Sequence, residues 1–140
     1  MNVLVFAFRE DTPDHARFRD WLNDVIQRDE PFAVSDHVLS GFLRVVTLRR
    51  VFPIPTPLER ALDFVSALRE QPTCVQISPG PRHWDLFIRL CRAADVTGNL
   101  VPDAYLAALA IESGSELVTT DRDFSRFPGL RWRHPLEAAS

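Results

Sequence analysis

NLVPDAYLAALAIESGSELVTTDRDF, residues 99–124, places one acid at the start of an apolar helix and another at the end of an apolar strand. Asp103 opens a nearly all-apolar run, Ala104, Leu106, Ala107, Ala108, Leu109, Ala110 and Ile111, which reads as a helix stopped by Gly114. Leu117-Val118-Thr119-Thr120 reads as a short buried strand ending at Asp121. A helix start and a strand end can face each other across one edge of a sheet. Two carboxylates placed there would bind a divalent cation or do acid–base work.

Elsewhere in the chain, short apolar strands alternate with amphipathic helices. Phe32-Ala33-Val34 and Val75-Gln76-Ile77 read as strands, and Leu130-Arg131-Trp132 as an edge strand. Thr12-Pro13 looks like a cap and first residue for a helix carrying Phe18, Trp21, Leu22, Val25 and Ile26. Ser35 caps a helix with Val38, Leu39, Phe42, Val45 and Val46 on one face. Thr56 and Glu59 form a capping box around Pro57, opening a helix that runs to Pro72. Pro79-Gly80-Pro81 turns into a helix bearing Trp84, Phe87, Ile88, Leu90 and Cys91. The alternation predicts an α/β sandwich with a mainly parallel sheet and right-handed connections.

The 140 residues fit one domain, and 46% hydrophobic residues are enough for a core without disulfides or metals as staples. No apolar run reaches the ~18–20 residues of a membrane-spanning helix, and no leader resembles a signal peptide. Cys74 and Cys91 lack metal-type spacing and read as buried thiols, which suits a reducing, cytoplasmic setting. The net charge of −3 opposes an overall electrostatic grip on nucleic acid. All sixteen basic residues are arginine. Arginine favours bidentate phosphate contact, although a GC-rich genome explains the bias more simply. The pairs Arg49-Arg50 and Arg131/Arg133 could touch phosphates or simply be solvated. His15, His37, His83 and His134 show no paired metal spacing and read as surface or partly packed groups.

Ligands in open α/β sheets bind beyond the carboxyl ends of the strands. Asp36 follows the Phe32–Val34 strand, and Asp121 follows the strand at 117–120. Carboxylates crowded at one edge repel: a pair at ~4 Å in an effective dielectric of ~20 costs ~4 kcal/mol. A divalent cation resolves that repulsion, and oxygen-only ligands favour Mg²⁺ or Mn²⁺ over zinc. Each acid also has a plainer reading. Asp103 suits the positive end of its own helix, Asp121 and Asp123 suit a turn, and Asp36 suits a helix start. Their joint placement, rather than any one of them, points to a site.

Four segments carry a family resemblance: Asn2–Glu10, Val38–Thr47, Asn99–Ala108 and Thr119–Phe124. Together they make the chain similar, over essentially its whole length, to VapC-type toxins of the PIN-domain nuclease family. The resemblance implies a three-layer α/β/α sandwich around a short parallel sheet. It also implies a Mg²⁺- or Mn²⁺-dependent endoribonuclease, restrained by a cognate antitoxin and usually dimeric. Asp103 matches the family's third acid and Asp121 its fourth, which makes them the expected metal ligands and catalytic residues; Asp123 assists or caps.

Two positions depart from the family pattern. Its first acid stands in an Asp-x-Asn sequence closing the first strand. Asn2 matches the asparagine and Met1 the middle position, so that strand and its aspartate are expected upstream of Met1, and Val3–Phe8 is expected to begin the first helix. Gly41 stands where many relatives carry the second acid. Asp36 is the nearest substitute, but residues five apart point in different directions on a helix, so it requires the helix start to bend inward. The resulting expectation is a metal-dependent RNA phosphodiesterase using Asp103, Asp121 and Asp36, supported by Asn2 and Asp123. The partners are an antitoxin, RNA and a second copy of the chain, with no membrane. The alternative is a catalytically silent module that only binds an antitoxin. A phosphoacceptor receiver domain also gathers carboxylates on a parallel sheet, but it relies on a lysine that this chain lacks.

Overall fold

In the computed structural model, which describes residues 2–137, Asn2–Phe8 is helical (α1). Val3, Leu4, Val5 and Ala7 are buried, so this apolar run forms a helix, as the family resemblance implies. Six helices and four short strands follow the order α1, α2 (His15–Gln27), β1 (Phe32–Ser35), α3 (Asp36–Val46), α4 (Leu58–Arg69), β2 (Cys74–Ile77), α5 (His83–Ala93), α6 (Val101–Ser113), β3 (Leu117–Val118) and β4 (Trp132–Arg133). No helix among the described residues is long and apolar enough to cross a membrane.

The chain forms two compact units, residues 1–76 and 77–140. In the first, α1 packs on α2 and α3, and α3 packs on α4. Phe18, Leu22, Leu39, Phe42, Val46, Ala61, Val65 and Leu68 are buried there. Phe8, Phe42 and Phe64 meet as tilted and edge-on rings with centroids 4.8–5.4 Å apart, the offset geometry that ring quadrupoles prefer. One side chain fastens this unit. Arg9 makes two bonds to Asp11 and donates to the Ile54 carbonyl and to Thr56 Oγ1, while its guanidinium lies 4.1 Å from the centre of the Phe52 ring.

In the second unit α5 packs on α6. Leu86, Phe87, Leu90, Ala104, Ala107, Ala108, Phe124 and Phe127 make its core. Ala104, Ala107 and Ala108 are wholly buried and Leu109 nearly so, as a helix apolar on several sides requires. Gly114 ends α6 at φ 69°, a left-handed conformation natural for glycine. His83 lies at the start of α5, buried rather than superficial. Its Nε2 donates to the Tyr105 carbonyl at 2.9 Å, and its ring meets Tyr105 edge-on. Phe87, stacked on the ring, and Tyr105 account for that burial.

Several expected local features take a different form. The strands pair as two separate ladders, β1 with β2 and β3 with β4, the second parallel with Leu117 opposite Trp132 and Val118 opposite Arg133. β3 is shorter than 117–120. Thr119 N still donates to Arg133 O, but the Thr119 hydroxyl accepts the Asp121 N–H and turns the chain out of the ladder. β4 lies at 132–133 rather than 130–132 because Leu130 N is held by Phe127 O in the preceding turn.

Thr12 does not cap α2. Its hydroxyl donates to Arg9 O and Phe6 O at the end of α1, and Asp14 takes the cap position at φ 58°. The Thr56–Glu59 box does not form either, because Thr56 is buried with its oxygen accepting from Arg9, and Pro57 becomes the cap residue of α4. Ser35 caps α3 as expected, accepting the Val38 N–H at 3.2 Å. Both cysteines are free and half-buried rather than fully enclosed.

Candidate active site

α6 begins after a 3₁₀ turn at Gly98–Leu100, with Pro102 in its first turn and no side chain capping its N-terminus. The first-turn N–H groups of a helix lack internal partners and make that end partly positive. Asp103 lies in this turn, half-buried, directly before the enclosed Ala104.

Asp121 follows β3 in extended backbone and is also half-buried. Two local bonds set its direction: its N–H donates to Thr119 Oγ1 at 3.1 Å, and its Oδ1 accepts the Asp123 N–H at 2.9 Å. Asp121 therefore caps the 3₁₀ turn at Arg122–Arg126, which is the turn role open to it from sequence. Asp123 is exposed and pairs with Arg126 at 3.6 Å, while Arg126 Nε donates to the Asp123 carbonyl.

These groups share one electrostatic neighbourhood. The Asp103 carboxyl is held above the ordinary carboxylate range, first by burial, then by the negative charges of Asp121 and Asp123; Arg126 opposes the shift. Asp103 and Asp121, expected to meet from the 99–124 stretch, both lie in the second unit, where the charges of Asp121 and Asp123 act on the Asp103 carboxyl. Arg126 was not singled out in the sequence, although its position three residues after Asp123 is a pairing signal. Asn2 and Asp36 belong to the first unit, each exposed at the start of a helix, and Asp36 follows the regular Ser35 cap. Met1, the middle position of the Asp-x-Asn pattern, lies outside the described residues.

The donor chemistry fits a hard cation. Every nearby acid is a carboxylate, Asp103 is held above the ordinary carboxylate range, and among the described residues no thiol or imidazole takes part in the group. Mg²⁺ commonly keeps several waters and takes only one or two protein carboxylates, so a pair of acids is a sufficient donor set for it. No set of three histidine, cysteine, aspartate or glutamate side chains close enough to hold a metal exists among the described residues. Arg131 and Arg133, candidates for phosphate contact, are used within the fold: Arg131 donates to Gly114 O and Arg133 pairs with Glu116 at 3.4 Å.

The family follows from direct comparison. The PIN domain family model matches residues 2–130, running through both units, and the chain belongs to that family. Its curated relatives are named as ribonucleases of the VapC group. It is 46% identical to VapC ribonuclease Mb2897 of Mycobacterium bovis over 137 residues, 98% of this chain and 93% of the relative. It is 44% identical to ribonuclease VapC25 of Mycobacterium tuberculosis, covering 96% and 95%. Among solved structures, VapBC2 from Rickettsia felis, crystallised bound to a promoter DNA fragment, matches with a TM-score of 0.67 over 94% of this chain and 92% of that one. At 20% identity that match shows the fold.

Proposed function

We propose that this chain, acting as a single PIN-like nuclease domain, is the toxin of a toxin–antitoxin pair: an endoribonuclease that hydrolyses RNA phosphodiester bonds with Mg²⁺ or Mn²⁺. The observation that carries the reading is the half-buried Asp103 carboxyl in the first turn of α6, which shares its electrostatic surroundings with Asp121 and Asp123. Relatives at 44–46% identity are named ribonucleases, which supports the substrate class.

Asp103 and Asp121 would hold the ion, which when bound lowers the pKa of its water and offsets negative charge gathering on the phosphate. With Oδ1 held by the Asp123 N–H and its backbone by Thr119, Asp121 would offer its second oxygen to the ion. Asp123 supports that orientation through its backbone. Arg126 balances part of the local negative charge and stands ready to meet a phosphate. Asp36 contributes directly or through water, and Asn2 takes the supporting place that the family pattern gives it. The protein works in the cytoplasm as a homodimer and is silenced by its cognate antitoxin; the VapBC complex among the structural matches supports a partner of that kind.

The test is cleavage of a labelled structured RNA by the purified chain with Mn²⁺. Cleavage that EDTA stops, and that Asp103→Asn abolishes without loss of fold, is the expected result. The lack of a three-ligand group among the described residues favours one other reading, a silent module that only engages an antitoxin. Inert protein that still binds antitoxin would support that module and refute the enzyme.

A further inference from the structure

Residues 37–58 contain no aspartate or glutamate, although the chain holds 19 acids and carries a net charge of −3. Arg44, Arg49 and Arg50 lie in that stretch, and all three are exposed. Among the described residues no hydrogen bond or ion pair engages their guanidinium groups, whereas Arg9, Arg19, Arg122, Arg126 and Arg133 all pair with acids. Arg44 stands in the last turn of α3 and the other two lie just beyond it.

An ordinary task for arginines at this place is to satisfy the last carbonyls of the helix. That task is already done. Leu43 O accepts from Thr47 N and Thr47 Oγ1, Arg44 O from Thr47 Oγ1, Val45 O from Leu48 N, and Val46 O from Thr56 N. The dipole of α3 still favours positive charge here, but that needs no run of three.

The segment carrying these arginines is also ordered without them. Leu48 O accepts from both Val51 N and Phe52 N, three prolines follow, and Arg9 holds Ile54 O and Thr56 while covering Phe52. Asp11, the acid nearest this clamp in the bonding pattern, is already neutralised by Arg9. The result is an acid-free, hydrogen-bonded stretch of chain carrying three exposed, unengaged guanidinium groups. A ligand meeting it loses little to loop ordering.

We infer that Arg44, Arg49 and Arg50 form a phosphate-binding ridge that grips the backbone of the RNA substrate. The inference rests on the ribonuclease reading above and names a second place where the RNA is held. Planar guanidinium groups take phosphate oxygens two at a time. A group of carboxylates repels a polyanion, so cations elsewhere on the chain would add to its affinity for RNA, and such contacts make binding fall steeply with salt. An acidic protein segment is the competing ligand, since Val51 and Ile54 are exposed next to the ridge.

The experiment uses the non-cleaving Asp103→Asn chain and a fluorescein-labelled RNA hairpin, with affinity read by anisotropy across a salt series. Adding Arg49→Gln and Arg50→Gln is expected to weaken binding on the order of tenfold and to lower the log–log salt slope by about 1 per arginine. Arg49→Lys with Arg50→Lys should restore the slope, because charge is kept. Melting temperatures should not move, since both side chains are exposed and unpaired. Unchanged affinity and slope in the glutamine variant overturn the ridge. Unchanged RNA binding with lost binding of a labelled poly-glutamate peptide assigns the surface to an acidic protein partner and overturns it too. If the Asp103→Asn parent binds no RNA and the wild type cleaves none, the ribonuclease reading itself falls, and the ridge with it.

Discussion

Asp121 opposes the ionisation of Asp103: a carboxylate at the end of the β3 limb raises the carboxyl in the first turn of α6, adding to the larger effect of burial. Replacing Asp103 by Asn removes a group that this neighbourhood tolerates poorly. RNA cleavage should drop by at least about 100-fold, in keeping with loss of a group acting on the reacting phosphate. Far-UV circular dichroism should stay unchanged, and the metal-free melting temperature should hold or rise. A cleavage assay run beside a thermal melt checks both; retained cleavage removes Asp103 from the site.

The same raised carboxyl predicts a pH dependence. A group whose folded pKa lies above its unfolded value stabilises the fold below the unfolded pKa and loses that contribution as pH rises through the folded one. Metal-free protein should therefore lose this part of its stability as pH climbs from about 4 through the raised value of Asp103. Asp103→Asn should flatten that slope, and Asp121→Asn should reduce it. Mg²⁺ or Mn²⁺ should stabilise the wild type at neutral pH by about 2.7 kcal/mol at one hundred times its dissociation constant. Melting curves with metal and with EDTA, in wild type and Asp103→Asn, would reveal it. Equal metal stabilisation in both proteins would place the ion elsewhere.

Glu112 gives the opposite sign. Its carboxylate accepts from Gly80 N at 2.7 Å and Arg82 N at 2.8 Å, just ahead of α5, and these bonds lower its pKa. A depressed carboxyl stabilises above its unfolded pKa and loses that contribution as pH falls through its folded value. Glu112→Gln should lower the melting temperature at pH 7 and narrow its gap from wild type in acid. Gly80→Ala should behave similarly, because a Cβ there would sit 2.8 Å from Glu112 Oε2. A gap that stays constant with pH would mean that the charge contributes nothing.

His83→Phe keeps a ring beside Tyr105 and Phe87 but removes the bond from Nε2 to the Tyr105 carbonyl. The expected loss is about 0.5–1.5 kcal/mol, measurable by denaturant titration. Because this bond joins α5 to the opening of α6, cleavage activity should fall with it under conditions where the variant remains folded.

Period and punctuation made the helices readable. Leu39, Phe42 and Val46 repeat at helical spacing and are all buried, while Ser35 and Gly114 mark ends by their own chemistry. Side chains with competing partners were harder to read. Thr12 and Thr56 look like caps in sequence, yet one closes the preceding helix and the other is held by Arg9, forty-seven residues away. Strand length was hidden for a similar reason, since Thr119 resembles a strand residue until its hydroxyl takes the Asp121 N–H. Asp103 and Asp121 stood out as a candidate pair because each sits at the boundary of an apolar run. The engagement of Arg131 and Arg133 depends on contacts that spacing barely registers.

The methyl-sized faces of Ala104, Ala107 and Ala108 act as spacers. They set how far the α6 rod stands from Phe87, Phe124 and Phe127, and hence the height at which the acid one residue ahead of them is carried. A single added methylene beneath that rod would cost about 1–3 kcal/mol of overpacking and lift its acidic end as well. Drift in residue size along this face is therefore also drift in reach toward a ligand, and alanine's smallness is part of the tuning.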